Sequence, residues 1–163
     1  MPHPPSARRL DALSVTGETP HGHHTRTPAS LWIVGVLALL WNLLGLASFV
    51  FQMLMPAEAL QAMPAEQRAV YEAAPGWLYL FYGIATIGGV LGSLALLLRR
   101  RWATLVFLVA LLGLIVQVIA GYATTPSWAA SGAAGLGFSL FLVLVAVALW
   151  RFSAWMEKRG VLR

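Results

Sequence analysis

The residues best equipped for chemistry in this chain are three neutral carboxamides set in apolar surroundings, Asn42, Gln52 and Gln117, and a tract of histidines, His21, His23 and His24. A carboxamide offers both donors and acceptors, and acyl chains satisfy neither. Asn42 and Gln117 are therefore expected to point inward and to find partners, with each other as one possible pairing. Two roles fit that placement. The first is interhelical glue, and the second is hydrogen bonding to an uncharged solute. The histidine tract could hold a divalent metal, but no carboxylate or cysteine completes a coordination set, so no metal and no cofactor are expected.

Charge is the usual mark of a proton relay, a coupling-ion site or a haem ligand inside a membrane, because it is costly there and persists where function needs it. The apolar stretches of this chain have none. Thr27 to Ala57, Ala73 to Leu98 and Trp102 to Trp150 contain no Asp, Glu, Lys, Arg or His. Absent intramembrane histidine argues against haem, and absent acidic residues and lysine argue against a carboxylate-driven pump. There is no GxSxG, P-loop, HExxH or strand-borne GxGxxG, so the expectation is that the chain is not an enzyme. Cysteine is missing altogether, which removes disulfides and thiolate chemistry.

The elements that position these carboxamides follow from length. A hydrocarbon core of ~30 Å takes about 20 helical residues, so Trp102 to Trp150 must supply two spans and each other stretch one. The chain reads as an all-α, membrane-spanning four-helix bundle with spans near 31–54, 77–98, 102–122 and 131–152. Composition agrees: 59% hydrophobic against 10% charged residues exceeds what one soluble core of 163 residues can hide. Residues 28–163 form this transmembrane domain. Residues 1–27, rich in proline and without apolar periodicity, are expected to be a disordered tail.

The net charge of +5 follows topology rather than a nucleic-acid surface. With four alternating helices, Arg8, Arg9, Arg26, the triplet Arg99, Arg100 and Arg101, and Arg151, Lys158, Arg159 and Arg163 all fall on one side. Only Arg68 falls on the other, with Glu58, Glu66 and Glu72. The positive-inside rule then puts both termini in the cytoplasm, with the arginine triplet as topology anchor and the acidic loop outside. Within that loop, Pro64 and Pro75 bracket a segment with Glu66 in its first turn, which predicts a short external helix between the first two spans. Met63, Val70, Tyr71 and Ala74 share one of its faces. Trp32, Trp77, Trp102, Trp128, Trp150 and Trp155 mark the ends of the spans, whereas Trp41 sits deep.

Small residues indicate how the spans pack. Gly35, Ala38, Asn42, Gly45, Ser48 and Gln52 advance by three or four and share a face of the first helix. Gly88 and Gly92 form a GxxxG step in the second span, with Gly89 and Ser93 on the adjacent face. Gly113 and Gly121 flank Gln117, and Gly135 lies between Ser131 and Ser139. Each is expected to allow close helix approach, chiefly within the chain and alternatively in a dimer.

Trp41-Asn42-Leu-Leu-Gly45, Pro75-Gly-Trp77 and Leu91-Gly92-Ser93-Leu-Ala-Leu-Leu-Leu98-Arg99-Arg-Arg-Trp102-Ala103, with the short basic end, resemble a family of small uncharacterised bacterial four-helix inner-membrane proteins. Some members carry the label sugar transporter. The resemblance covers Leu31 to Arg163 and implies the bacterial inner membrane, with the lipid bilayer and a homo-oligomer or larger membrane complex as partners. It brings no functional residue with it. The sequence reading is an accessory or structural membrane component; the alternative is a small oligomeric permease or channel for an uncharged solute such as a sugar.

Overall fold

The computed structural model describes residues 29–163, so the expected tail and its histidines lie outside the described residues. The described residues form six helices: α1 Ala29–Met53, α2 Ala57–Gln61, α3 Ala65–Ala73, α4 Gly76–Leu97, α5 Trp102–Thr124 and α6 Ser127–Lys158. Four of them, α1, α4, α5 and α6, are long and apolar enough to cross a membrane. The short helix expected between the first two spans appears as α3, and a second short helix, α2, precedes it. Prolines set the starts. Pro56, Pro64, Pro75 and Pro126 each stand at a helix N-cap, where their carbonyls accept the first-turn bonds from Leu60, Arg68, Leu78 and Ala130.

α4 is the centre of the bundle, packed between α1 and α5, and α6 packs on α5. The two small faces of α4 explain this position. Gly88 and Gly92 face α5, where an added Cβ would stand 3.0 Å from Ala110 and 2.9 Å from the Phe107 ring. Gly89, one position round the helix, faces α1 and lies directly against Asn42. Gly113 of α5 returns the contact, 3.0 Å from Ile84 on the same measure. These glycines therefore pack helices within the chain. Gly121 does not: a Cβ added there would meet no neighbour within 4 Å. Gly135 adjoins Ser131 of its own helix, with only the Tyr122 hydroxyl reaching it from α5, at 3.2 Å.

α6 runs past the expected span at both ends. It begins at Ser127 and breaks at Gly132, whose φ of 54° and ψ of −148° suit only glycine. The preceding turn is thereby set at an angle, and α3 packs on α6. On α3, Met63, Val70, Tyr71 and Ala74 are partly covered while Glu66 and Glu72 are exposed, as its pattern requires.

The tightest packing lies at the arginine end. Leu31, Leu96, Ala103, Phe107, Met156, Val161 and Leu162 form one buried cluster drawn from all four long helices and the last residues of the chain. Two matching helix ends build it. After α4, the Arg100 amide bonds to the Ala95 carbonyl and the Arg99 amide to that of Leu96, with Arg99 at φ 58°. After α6, the Val161 amide bonds to Met156 and the Gly160 amide to Glu157, with Gly160 at φ 69°. Both are Schellman ends, and the first places arginine where glycine is usual. The two turns then pair: Arg163 donates to the Arg99 carbonyl at 2.6 Å, and Arg101 donates back to Arg163 at 3.1 Å. The Arg99 Nε adds a bond to the Val161 carbonyl at 3.1 Å. A triplet read as topology anchor is thus also the seat of the chain's end.

Candidate functional site

Beyond that cluster the four long helices line a cavity of about 300 Å³. It draws on the middle of each: Trp41 to Ser48 of α1, Tyr82 to Gly89 of α4, Phe107 to Gln117 of α5 and Phe138 to Leu149 of α6. That is the depth of the bilayer midplane for helices of this length. The lining is chiefly apolar. Its polar groups are Asn42, Ser48, Tyr82, Thr86, Gln117 and the indole N–H of Trp41, and no Asp, Glu, Lys, Arg or His is among them.

Each polar group is held differently. Asn42 Nδ2 donates to the Ala38 carbonyl at 2.8 Å and to Ser93 Oγ at 3.2 Å. Ser93, wholly buried, donates in turn to the Gly89 carbonyl at 2.8 Å. Gly89 makes this possible, because any side chain there would occupy the place of the Asn42 carboxamide. With both its amide hydrogens engaged, Asn42 keeps only its oxygen free. Thr86 and Ser48 turn their hydroxyls back onto the carbonyls of Tyr82 and Leu44, each at 2.9 Å.

Gln117 is the exception. It lines the cavity, no described residue hydrogen-bonds its side chain, and its polar atoms are not sealed from accessible space. The Tyr82 hydroxyl is likewise without a partner among the described residues; its ring packs edge-on against Phe49 at 5.0 Å. The expected pairing of Asn42 with Gln117 is thus replaced by Asn42 with Ser93, while both residues line the same cavity. Sequence spacing had placed Gly89 and Ser93 on a packing face; it did not show that this face would receive Asn42.

Gln52 lies elsewhere. It lines a more open hollow of about 410 Å³ beneath α3 with Phe51 and Tyr71, and this hollow shares Ser48 and Tyr82 with the midplane cavity. The polar face read along α1 therefore runs from the cavity at Asn42 to the α3 end at Gln52. Thr86 and Tyr82 were not singled out from sequence. Their signal was slight: a tyrosine and a threonine four apart in a span that also holds Trp77, Tyr79, Phe81 and Ser93.

Four long apolar helices around a midplane cavity are the build of a multi-pass membrane protein. No family model, curated protein or solved structure matches the chain.

Proposed function

We propose that this protein is a bacterial inner-membrane component, both termini cytoplasmic, that holds a small uncharged molecule in its midplane cavity and carries out no catalysis. The observation that supports this reading is Gln117: a carboxamide without a partner among the described residues, lining a cavity whose other polar groups are the Asn42 oxygen, the Trp41 indole and three hydroxyls. An unpaired carboxamide in such surroundings is costly, and a ligand that bonds to it offsets the cost. Neutrality follows from the lining, which has no charge to balance an ion.

A purely accessory role predicts the Asn42 and Gln117 faces closed against neighbouring helices. The Asn42 amide hydrogens are taken up by Ala38 and Ser93, which leaves its oxygen, whereas the Gln117 carboxamide has no partner among the described residues. A carrier or binding subunit for an uncharged solute fits this arrangement better, and the resemblance to proteins labelled sugar transporter points in the same direction.

Native mass spectrometry of the protein extracted gently from its own membranes tests the reading. The wild type should retain a neutral small molecule that Gln117→Leu loses, with no fall in the melting temperature of the ligand-free protein. Equal retention, or none in either protein, would return the accessory role to first place.

A further inference from the structure

The four helices do not enclose the cavity equally. α1 packs on α4, α4 on α5 and α5 on α6, but α1 and α6 face each other without an extended backbone contact. What spans their gap is an aromatic pair, Trp41 and Phe141, edge to face with ring centroids 5.9 Å apart. The exposed residues among those lining the cavity repeat the pattern: Trp41, Leu44 and Ser48 belong to α1 and Phe138 to α6, whereas none comes from α4 or α5. Leu44 is 64% and Phe138 58% exposed, both in the middle of spanning helices where the surroundings are acyl chains.

From this geometry we infer that the cavity opens sideways into the bilayer between α1 and α6, and that its ligand is a membrane-dissolved molecule with a neutral hydrogen-bonding head on an apolar chain. This rests on the cavity being a ligand site. The head reaches Gln117 and the free oxygen of Asn42, and the chain leaves past Leu44 and Phe138 into the lipid. Trp41 and Phe141 form the gate, since two rings meeting at their edges can part by side-chain rotation without moving a helix. A charged headgroup has no counter-charge in the lining. A molecule arriving from water would have to come by the hollow beneath α3, past Ser48 and Tyr82.

The test uses the full chain in lipid nanodiscs, with monooleoylglycerol bearing a diazirine in its acyl chain as the probe. Photolabelling should reach the cavity residues Leu142 and Val145 as well as the outward residues Leu40 and Leu144. Because the chain has no cysteine, Trp41→Cys with Phe141→Cys can be bridged by a short bifunctional thiol reagent. Bridging should abolish labelling of Leu142 and Val145, leave that of Leu40 and Leu144 unchanged, and restore cavity labelling on reduction. Undiminished cavity labelling after bridging would overturn the sideways route. A bridged product that runs as a dimer would overturn it too, by showing that a second copy covers the opening. Radiolabelled glycerol, the same head without the chain, separates the two levels of inference. If proteoliposomes take up glycerol in a Gln117-dependent manner while the lipid probe never labels the cavity, the ligand site stands and the bilayer route falls. If neither probe engages Gln117, both fall.

Discussion

Asn42 of α1 reaches Ser93 of α4 across 3.2 Å, at the point where Gly89 removes the side chain that would otherwise stand between the two helices. Hydrogen bonds between membrane helices are individually modest, because the separated helices also find partners. Asn42→Leu and Ser93→Ala should each cost about 0.5–2 kcal/mol. The double variant should cost less than the sum, by thermal unfolding in detergent. Additive costs would show that the bond carries no coupling.

The glycines divide by what faces them. Gly88→Leu and Gly92→Leu should severely lower the melting temperature, because a branched side chain enters the α4–α5 crossing against Ala110 and Phe107. Gly89→Ala should do the same by displacing Asn42, a single methyl with the effect of a much larger change. Gly121→Ala should be neutral or slightly stabilising, since the added Cβ would meet no neighbour within 4 Å and alanine is the better helix former by ~1 kcal/mol. A loss at Gly121 comparable to that at Gly88 would point to packing between chains.

The spans, the α3 helix and the inward face of α1 were legible because bilayer thickness and helical period translate directly into sequence length and spacing. The choice between glycine steps was not. Gly121 and Gly113 have the same chemistry and flank the same glutamine, yet only Gly113 meets a neighbour, and that depends on how α5 packs on α4. The cavity was hidden for the same reason: it is the space left between four helices, and which side chains border it depends on how those helices pack. The seat of the chain's end had a signal that went unused, Gly160 just after the last helical turn, a common site for a helix to end in a left-handed residue.

That seat makes a prediction about Leu162, which is wholly buried. Leu162→Ala should cost about 2–4 kcal/mol, the range for deleting a packed leucine side chain. Removing Val161 to Arg163 should cost more, because Arg99 then loses the bonds that hold its left-handed backbone. Unfolding midpoints in a mild detergent measure both. Unaltered stability on truncation would mean that the contact is incidental.

The proposed orientation is tested by single cysteines in a chain that has none of its own. A cysteine at Gln67, exposed on α3, should react with a membrane-impermeant thiol reagent in intact cells. One at Arg159, exposed at the opposite end, should react only after permeabilisation. The reverse pattern would invert the topology. Neutralising Arg99, Arg100 and Arg101 together should yield both patterns in one population.

Gln117 distinguishes a binding group from structural glue by the sign of its effect on stability. A carboxamide that holds helices together destabilises them when replaced, whereas one without a protein partner removes a desolvation cost when it becomes leucine. Gln117→Leu should therefore leave the melting temperature of ligand-free protein unchanged or raised, in contrast to Asn42→Leu, which lowers it. In protein that retains its ligand the order reverses. Bound ligand stabilises the wild type by mass action and the variant loses that increment, so the two melting curves should cross as ligand is stripped by repeated detergent exchange. A Gln117→Leu variant less stable than wild type both before and after stripping would make the residue a helix contact and leave the cavity without its binding group.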